Sequence, residues 1–194
     1  MHRTVERVVG VLVCAMVLGS AGTASAASLL IDDFNDGEKP NALGGDFGSW
    51  NKDEADPTQK CVNMFDSINA YGGVGYALKL DYDVDSPNPA YNGFWMKLQE
   101  IDATPYKYLV FYIKGDMTNS FSPQIKIELK SGAEVGKYLL KGITEEWQRV
   151  RIPLQDFVGL TMLNPMSEFV IVFDDINSKP KVGTIYVDEI SLES

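Results

Sequence analysis

Three segments of the chain alternate aromatic or charged side chains with apolar ones, and these side chains could recognise a ligand. They are Tyr91, Trp95 and Lys97, then Tyr112 and Lys114, then Gln124, Lys126 and Glu128. Aromatic rings pack on apolar ligand surfaces, while ammonium, amide and carboxylate groups form directed hydrogen bonds. The combination predicts a binding face for a ligand that has both apolar and polar surfaces.

Catalytic chemistry is restricted by residue type. His2 is the only histidine, and Cys14 and Cys61 are the only cysteines. His2 and Cys14 lie in an N-terminal segment that we expect to be removed, so the rest of the chain has neither a histidine-based nucleophile system nor a histidine and cysteine zinc site. Cys61 has no partner for a disulfide within the chain and is predicted to be a small buried residue.

A glycosidase needs only two carboxylates, so residue type alone does not exclude that activity. The candidates for such a pair are Asp81, Asp83, Glu128, Asp174 and Asp175. Solvated carboxylates are common on protein surfaces, so this abundance carries little information. We predict that the protein is not an enzyme.

The elements that position these side chains are predicted to be strands. Alternating apolar and polar residues, separated by Asn, Pro, Gly and Ser, occur at 28–34, the end of 41–50, 74–84, 91–98, 106–114, 122–130, 135–141, 147–157, 168–174 and 183–192. No stretch shows a sustained helical period. Short alternating strands with turn residues between them are typical of a two-sheet antiparallel β-sandwich. Trp50 and Trp147 are expected in its core.

The chain resembles a known group in several motifs. Residues 30–37 (LIDDFNDG), the turn at 43–45 that leads to Trp50, the segment 147–157 (WQRVRIPLQDF) and residues 186–190 (YVDEI) follow the order seen in jelly-roll domains of the galactose-binding-like superfamily. Among these groups the chain resembles carbohydrate-binding module family eleven. The complex-I intermediate-associated protein family shares the Gly-Gly turn and the Trp-Pro-Phe segment. The resemblance covers nearly all of residues 28–194.

The resemblance to family eleven implies an all-β, two-sheet antiparallel jelly-roll β-sandwich at 27–194 that binds β-glucan chains without catalysis. Pyranose rings stack on aromatic side chains, and their hydroxyl groups need convergent polar partners. The expected ligand-binding residues are therefore Tyr91, Trp95, Lys97, Tyr112, Lys114, Lys126 and Glu128. The second family implies the alternative, a protein-assembly role with another protein as partner.

A structural calcium ion is also implied by the resemblance. Its expected ligands are Asp33, a carbonyl or amide oxygen at Asn35, and Asp188 near the end of the chain. Calcium is a hard cation that prefers oxygen ligands, and residues from separate parts of a chain can supply them. The alternative is that these side chains cap turns and face water.

The charge of the chain narrows the class of partner. The formal net charge is −10 at pH 7. Nucleic acids and anionic membrane surfaces select for basic patches, so neither is an expected partner. A polysaccharide or oligosaccharide is compatible with an acidic protein.

Residues 1–26 are predicted to be a signal peptide, which gives the first testable expectation. A basic start is followed by an apolar run that is shorter than the roughly 20 residues of a membrane-spanning helix, and then by small residues ending at Ala26. The exported protein, secreted or periplasmic, should begin at Ala27 and contain one free thiol. Intact-mass measurement and thiol titration of the exported protein check this, and a retained N-terminus contradicts it.

Overall fold

The computed structural model describes residues 27–194, and the predicted signal peptide at 1–26 lies outside the described residues. Two short 3-10 turns, at Tyr71–Gly73 and Leu154–Asp156, accompany the strands. The strands are β1 (Ser28–Asp32), β2 (Phe47–Asn51), β3 (Lys60–Asp66), β4 (Ala77–Asp83), β5 (Tyr91–Ile101), β6 (Tyr108–Gly115), β7 (Gln124–Ser131), β8 (Glu134–Lys141), β9 (Gln148–Pro153), β10 (Met166–Asp174) and β11 (Val182–Glu193). Within this described part, no helix is long and apolar enough to cross a membrane.

The strands form two antiparallel sheets, as the alternating pattern predicts. The six-stranded sheet has the order β3-β4-β11-β6-β9, with β1 also paired to β11. The five-stranded sheet has the order β2-β5-β10-β7-β8. This arrangement confirms the predicted jelly-roll sandwich, because each sheet covers the apolar face of the other.

The core lies between the sheets, and the predicted face assignments of the central strands are confirmed. The inward side chains are all fully buried; they include Phe94, Met96 and Leu98 on β5, Leu109, Phe111 and Ile113 on β6, and Ile125, Ile127 and Leu129 on β7. Across the sandwich, Tyr82 of β4 stacks on Phe173 of β10 with ring centroids 4.1 Å apart. The Tyr82 hydroxyl accepts a hydrogen bond from the Ser122 backbone N–H.

Cys61 is buried, as predicted for a small apolar residue. Burial raises the pKa of its thiol, because the thiolate would lose its hydration. The nearby negative charge of Asp81 acts in the same direction. The thiol is therefore a poor nucleophile in the native state.

One strand prediction was wrong in its bounds, and one strand was missed. The strand expected at 74–84 begins only at Ala77, and Val74 and Tyr76 are exposed instead of sharing the buried face. Gly73 and Gly75 adopt positive φ angles of 75° and 71°, which direct the chain through a turn before β4. Strand β3 was not predicted, because its sequence KCVNMFD does not alternate cleanly.

Candidate functional site

A groove of about 790 Å³ lies on the outer face of the five-stranded sheet. Its residues come from β2, β5, β10 and β7 and from the loops that precede β5 and follow β10. They point outward because their neighbours along each strand fill the core. The lining residues are Trp50, Pro89, Tyr91, Trp95, Lys97, Lys126, Glu128, Lys130, Glu168, Val170, Val172, Asp174, Asp175, Ile176 and Asn177.

One side of the groove is aromatic. Trp95 pairs with Gly48 of β2. A Cβ at Gly48 would lie 3.4 Å from the indole atom Cζ2, so the Trp95 ring extends over the Gly48 backbone. Trp50 pairs with Gly93 and meets the Tyr91 ring edge-on, with centroids 5.8 Å apart. Each tryptophan thus pairs with a glycine on the neighbouring strand, and at Gly48 the missing side chain leaves room for the Trp95 indole.

Charged residues form the opposite side and one end of the groove. Glu168 of β10 accepts hydrogen bonds from Lys97 of β5 and Lys130 of β7. Glu168 is only 8% exposed. Burial acts to raise the pKa of this carboxyl group, but the hydrogen bonds from the two lysines outweigh burial and hold the pKa below its ordinary value. Glu168 is therefore ionised at neutral pH.

The other end of the groove is built around Asp174. This carboxylate accepts a hydrogen bond of 3.0 Å from Lys126 Nζ and further ones from the backbone and side chain of Asn177. These bonds outweigh the effect of burial, which by itself would raise the pKa, so the pKa of Asp174 is lowered. The adjacent loops are tied together, since the Asp175 backbone N–H donates to the Ala90 carbonyl at 3.0 Å.

The structure brings most of the predicted ligand-binding residues together. Tyr91, Trp95, Lys97, Lys126 and Glu128 all line the groove.

Tyr112 and Lys114 do not line the groove, and their inclusion in one shared face was wrong. Both lie on β6, which belongs to the six-stranded sheet on the opposite side of the molecule. Tyr112 stacks on Tyr71 with centroids 3.7 Å apart, and Lys114 Nζ donates a 2.7 Å hydrogen bond to the side chain of Asn69. Alternation along a strand identifies its outward residues, but the sheet to which the strand belongs depends on long-range pairing.

Other groove residues were not predicted from the sequence. Trp50 was expected in the core but is only half-buried and lines the groove. Trp147 was also expected in the core, but it is half-buried and packs edge-on against Tyr71 of the 3-10 turn, which stacks on Tyr112 of β6. Glu168 and Lys130 were not selected, although each alternates with buried residues of its own strand, Glu168 with Phe169 and Lys130 with Leu129.

Of the residues expected to bind calcium, Asp33 and Asn35 follow the end of β1, and Asp188 lies on β11, the strand with which β1 pairs. Asp188 is almost fully buried, and its carboxylate accepts hydrogen bonds of 2.9 Å from the Tyr71 and Glu189 backbone N–H groups. Burial raises the pKa of Asp188 to about 6, and the nearby negative charges of Glu189 and Asp33 act in the same direction. The two hydrogen bonds act to lower the pKa, but their effect is smaller.

A cation bound at Asp33, Asn35 and Asp188 would have few carboxylate ligands. Residues 27–194 contain no cluster of three or more acidic, histidine or cysteine side chains arranged to hold a metal ion. The neighbouring Asp32 is buried, and its Oδ2 atom has no hydrogen-bond partner within the described part of the chain. A calcium ion here would use two carboxylates and neutral oxygens, as calcium sites in proteins commonly do.

Comparison with known proteins identifies the family. The model of carbohydrate binding domain 30 matches residues 40–194, and the chain belongs to this family of carbohydrate-binding domains. No curated protein sequence matches the chain.

Several solved structures with the same fold are carbohydrate-binding modules. The family 11 module of a cellulosomal cellulase of Clostridium thermocellum has a TM-score of 0.64 and 17% identity, over 87% of this chain and 95% of that one. A family 11 module from Clostridium thermocellum in complex with a β-1,3-1,4-mixed-linked tetrasaccharide has a TM-score of 0.63 and 19% identity, over 88% and 96%. A family 28 module specific for non-crystalline cellulose has a TM-score of 0.51 and 17% identity, over 86% and 95%.

These comparisons confirm the expected resemblance to jelly-roll carbohydrate-binding modules. The family model that matches is family 30, whereas the sequence motifs had indicated family eleven, which is represented among the similar folds.

The Glu168 network gives a testable prediction. Glu168→Gln should lower the free energy of unfolding at pH 7 by about 1 kcal/mol, because charged hydrogen bonds are lost while the partly exposed lysines regain hydration. Because the pKa of Glu168 is lower in the folded protein than in the unfolded chain, ionised Glu168 stabilises the fold at pH values above its ordinary, unfolded-state pKa. This contribution disappears as the pH falls through the native pKa.

Urea unfolding of both proteins at pH 7 and at pH 3 measures the difference. The gap between wild type and variant should shrink at pH 3. Glu128→Gln is the matched control, since Glu128 lies on the same face and forms no ion pair within residues 27–194. An equal loss in both variants would show that the Lys97–Glu168–Lys130 network contributes no specific stability.

Proposed function

We propose that the groove binds a neutral β-glucan chain. One observation carries this proposal. The groove has an aromatic side, formed by Trp50, Tyr91 and Trp95, and an opposite side rich in hydrogen-bonding groups, and two valines lie between the two sides. A pyranose chain has apolar ring faces and a dense set of hydroxyl groups, so it complements both sides. Membership of the carbohydrate binding domain 30 family and the mixed-linked glucan bound by a similar module support this ligand class.

The charges in the groove favour a neutral glycan over an anionic one. Lys97 and Lys130 are paired with Glu168, and Lys126 is paired with Asp174. An anionic polysaccharide would have to compete with these carboxylates for the lysines. Glu128 and Asp175 would also repel it. A hydroxyl group can instead accept from a lysine or donate to a carboxylate while the ion pairs persist.

The electrostatics of the groove also support binding without catalysis. A glycosidase needs one carboxylic acid whose pKa is raised so that it can protonate the leaving group. Glu168 and Asp174 are the most deeply buried carboxylates of the groove, and the pKa of each is lowered. Neither holds a proton at neutral pH, so neither can act as that general acid.

Export of the protein is part of the same proposal. A polysaccharide of the cell exterior is reached by an exported binding domain, and the basic, apolar and small-residue regions of 1–26 support export. The complex-I-associated resemblance and a protein partner stay predictions from the sequence.

Trp95 provides the test of the glycan site. Trp95→Ala should weaken binding of the β-1,3-1,4-mixed-linked tetrasaccharide at least tenfold, about 1.4 kcal/mol, because a stacking surface is removed. The melting temperature should change by only a few degrees, since the ring lies on the outer face of the sheet. Isothermal titration calorimetry and thermal denaturation measure the two effects.

Tyr112→Ala is the matched control for Trp95→Ala. It removes a half-buried aromatic ring from the opposite sheet and should leave the glycan affinity unchanged. A folded Trp95→Ala protein with wild-type affinity would defeat the proposed site.

We further propose that calcium binds near Asp33, Asn35 and Asp188. A buried carboxylate at Asp188 lies close enough to Asp33 for the charge of Asp33 to raise its pKa. A divalent cation would remove this repulsion. Its role would be structural, because it would join the first strand to the last.

Calcium should raise the melting temperature, and chelation should lower it, because an ion bound only by the folded state stabilises that state by mass action. At a calcium concentration about 100 times the dissociation constant, the gain is about 2.7 kcal/mol. Asp188→Asn should abolish the gain while keeping the shape of the side chain. Asp53→Asn is the control, since Asp53 is exposed and lies in the loop between β2 and β3. An unchanged melting temperature on chelation of the wild type ends the calcium proposal.

A further inference from the structure

The strand register arranges the groove residues in rows that cross the sheet. One row is Lys97–Glu168–Lys130, and the next is Trp95–Val170–Glu128. The third row places Gly93, Val172 and Lys126 side by side and extends to Trp50 on β2. The fourth row contains Tyr91 and Asp174. Successive rows are two residues apart along the strands, which is about 7 Å.

The aromatic residues follow the strands instead of crossing them. Trp95, Trp50 and Tyr91 occupy the second, third and fourth rows, one in each row, and all three lie on the β2 and β5 side. No row within the described groove has an aromatic residue on β10 or β7. A glycan that crossed the sheet would therefore meet one aromatic ring, then a valine, then a charged side chain. A glycan parallel to the strands meets a ring in each of three successive rows.

The dimensions and the ends of the groove also favour a glycan that lies parallel to the strands. From Glu168 to Asp174 along β10 the groove extends about 20 Å, whereas the three strand spacings from β2 to β7 amount to about 14 Å. The Lys97–Glu168–Lys130 row bridges the three strands at one end. The loops with Pro89 and Ile176 stand at the other end, and Ile176 is 78% exposed there. The lining includes no residue of β8, over which a crossing chain would leave the sheet.

We infer that the glycan lies parallel to β5, with its ring faces on Trp95, Trp50 and Tyr91 and its hydroxyl groups directed towards β10 and β7. The inference rests on the proposed glycan-binding function and adds the orientation of the chain in the site. It assigns Ile176, which the family resemblance does not single out, a contact with the end of the bound chain.

Paramagnetic broadening tests the orientation. The β-1,3-1,4-mixed-linked tetrasaccharide, carrying a nitroxide at its reducing end, is added to isotope-labelled protein, and backbone amide signals are recorded. The strongest broadening should lie at one end of the groove, either at Lys97 and Lys130 or at Ile176 and Asn177. Broadening centred on Lys137 and Leu139 of β8 would overturn the orientation and leave glycan binding intact. Failure of the unlabelled tetrasaccharide to bind at all would overturn the proposed function itself.

A matched pair of variants gives an independent test. Ile176 and Leu139 are both exposed apolar residues, one at the end of the groove and one on β8 beyond its charged side. Ile176→Ser should weaken binding of the mixed-linked tetrasaccharide by a factor of about 3 to 10, and Leu139→Ser should leave it unchanged. Loss of affinity in Leu139→Ser together with wild-type affinity in Ile176→Ser would contradict a chain parallel to the strands.

Discussion

The pairing of β5 with β10 is the contact on which both the core and the groove depend. Successive side chains of a strand point to opposite faces, so this one register determines which residues are neighbours both in the core and on the outer face. Inward, it places Phe94 beside Ile171 and Met96 beside Phe169 in the core. Outward, it places Trp95 beside Val170. A slip by one residue would expose the phenylalanines and bury the groove residues, so core packing and ligand recognition constrain the same pairing.

The ion pairs of the groove are preorganised by that framework. Glu168 is buried and receives two lysines from the strands on either side, so the ammonium groups are held in place before any ligand arrives. Holding side chains in their bound positions reduces the ordering cost of binding. The two carboxylates of these pairs offset two of the three lysine charges, and Glu128 and Asp175 add two negative charges to the lining. The groove therefore has a formal net charge of only −1, so hydrogen bonding and ring stacking dominate over net electrostatic attraction.

The fold and most of the site could be predicted from the sequence, because both follow from the alternation of inward and outward side chains along the strands. The period of two on β5, β6 and β7 correctly separated inward from outward residues, and the outward residues of β5 and β7 line the groove. Sheet membership is set by pairing between distant segments. Alternation could not show that β6 joins β11 and β9, so Tyr112 and Lys114 were grouped with the wrong face. The groove position of Trp50 was hidden for the same reason, because β2 pairs with β5 far along the chain.

The two outer faces show why residue type alone does not define a binding site. The outer face of the six-stranded sheet resembles the groove in composition. It has Tyr112 and Lys114 of β6, Tyr71 of the 3-10 turn, and Trp147, which directly precedes β9. There, however, Tyr71 stacks on Tyr112, and Trp147 packs edge-on against Tyr71, so the rings are in contact with each other and not free to contact a ligand. On the five-stranded sheet, Gly48 and Gly93 stand opposite the two tryptophans, and valines occupy the adjacent strand. Gly48 lets the Trp95 indole lie over the β2 backbone. Trp50 and Trp95 are both half-buried and line the groove, so part of each ring is available for a pyranose to stack on.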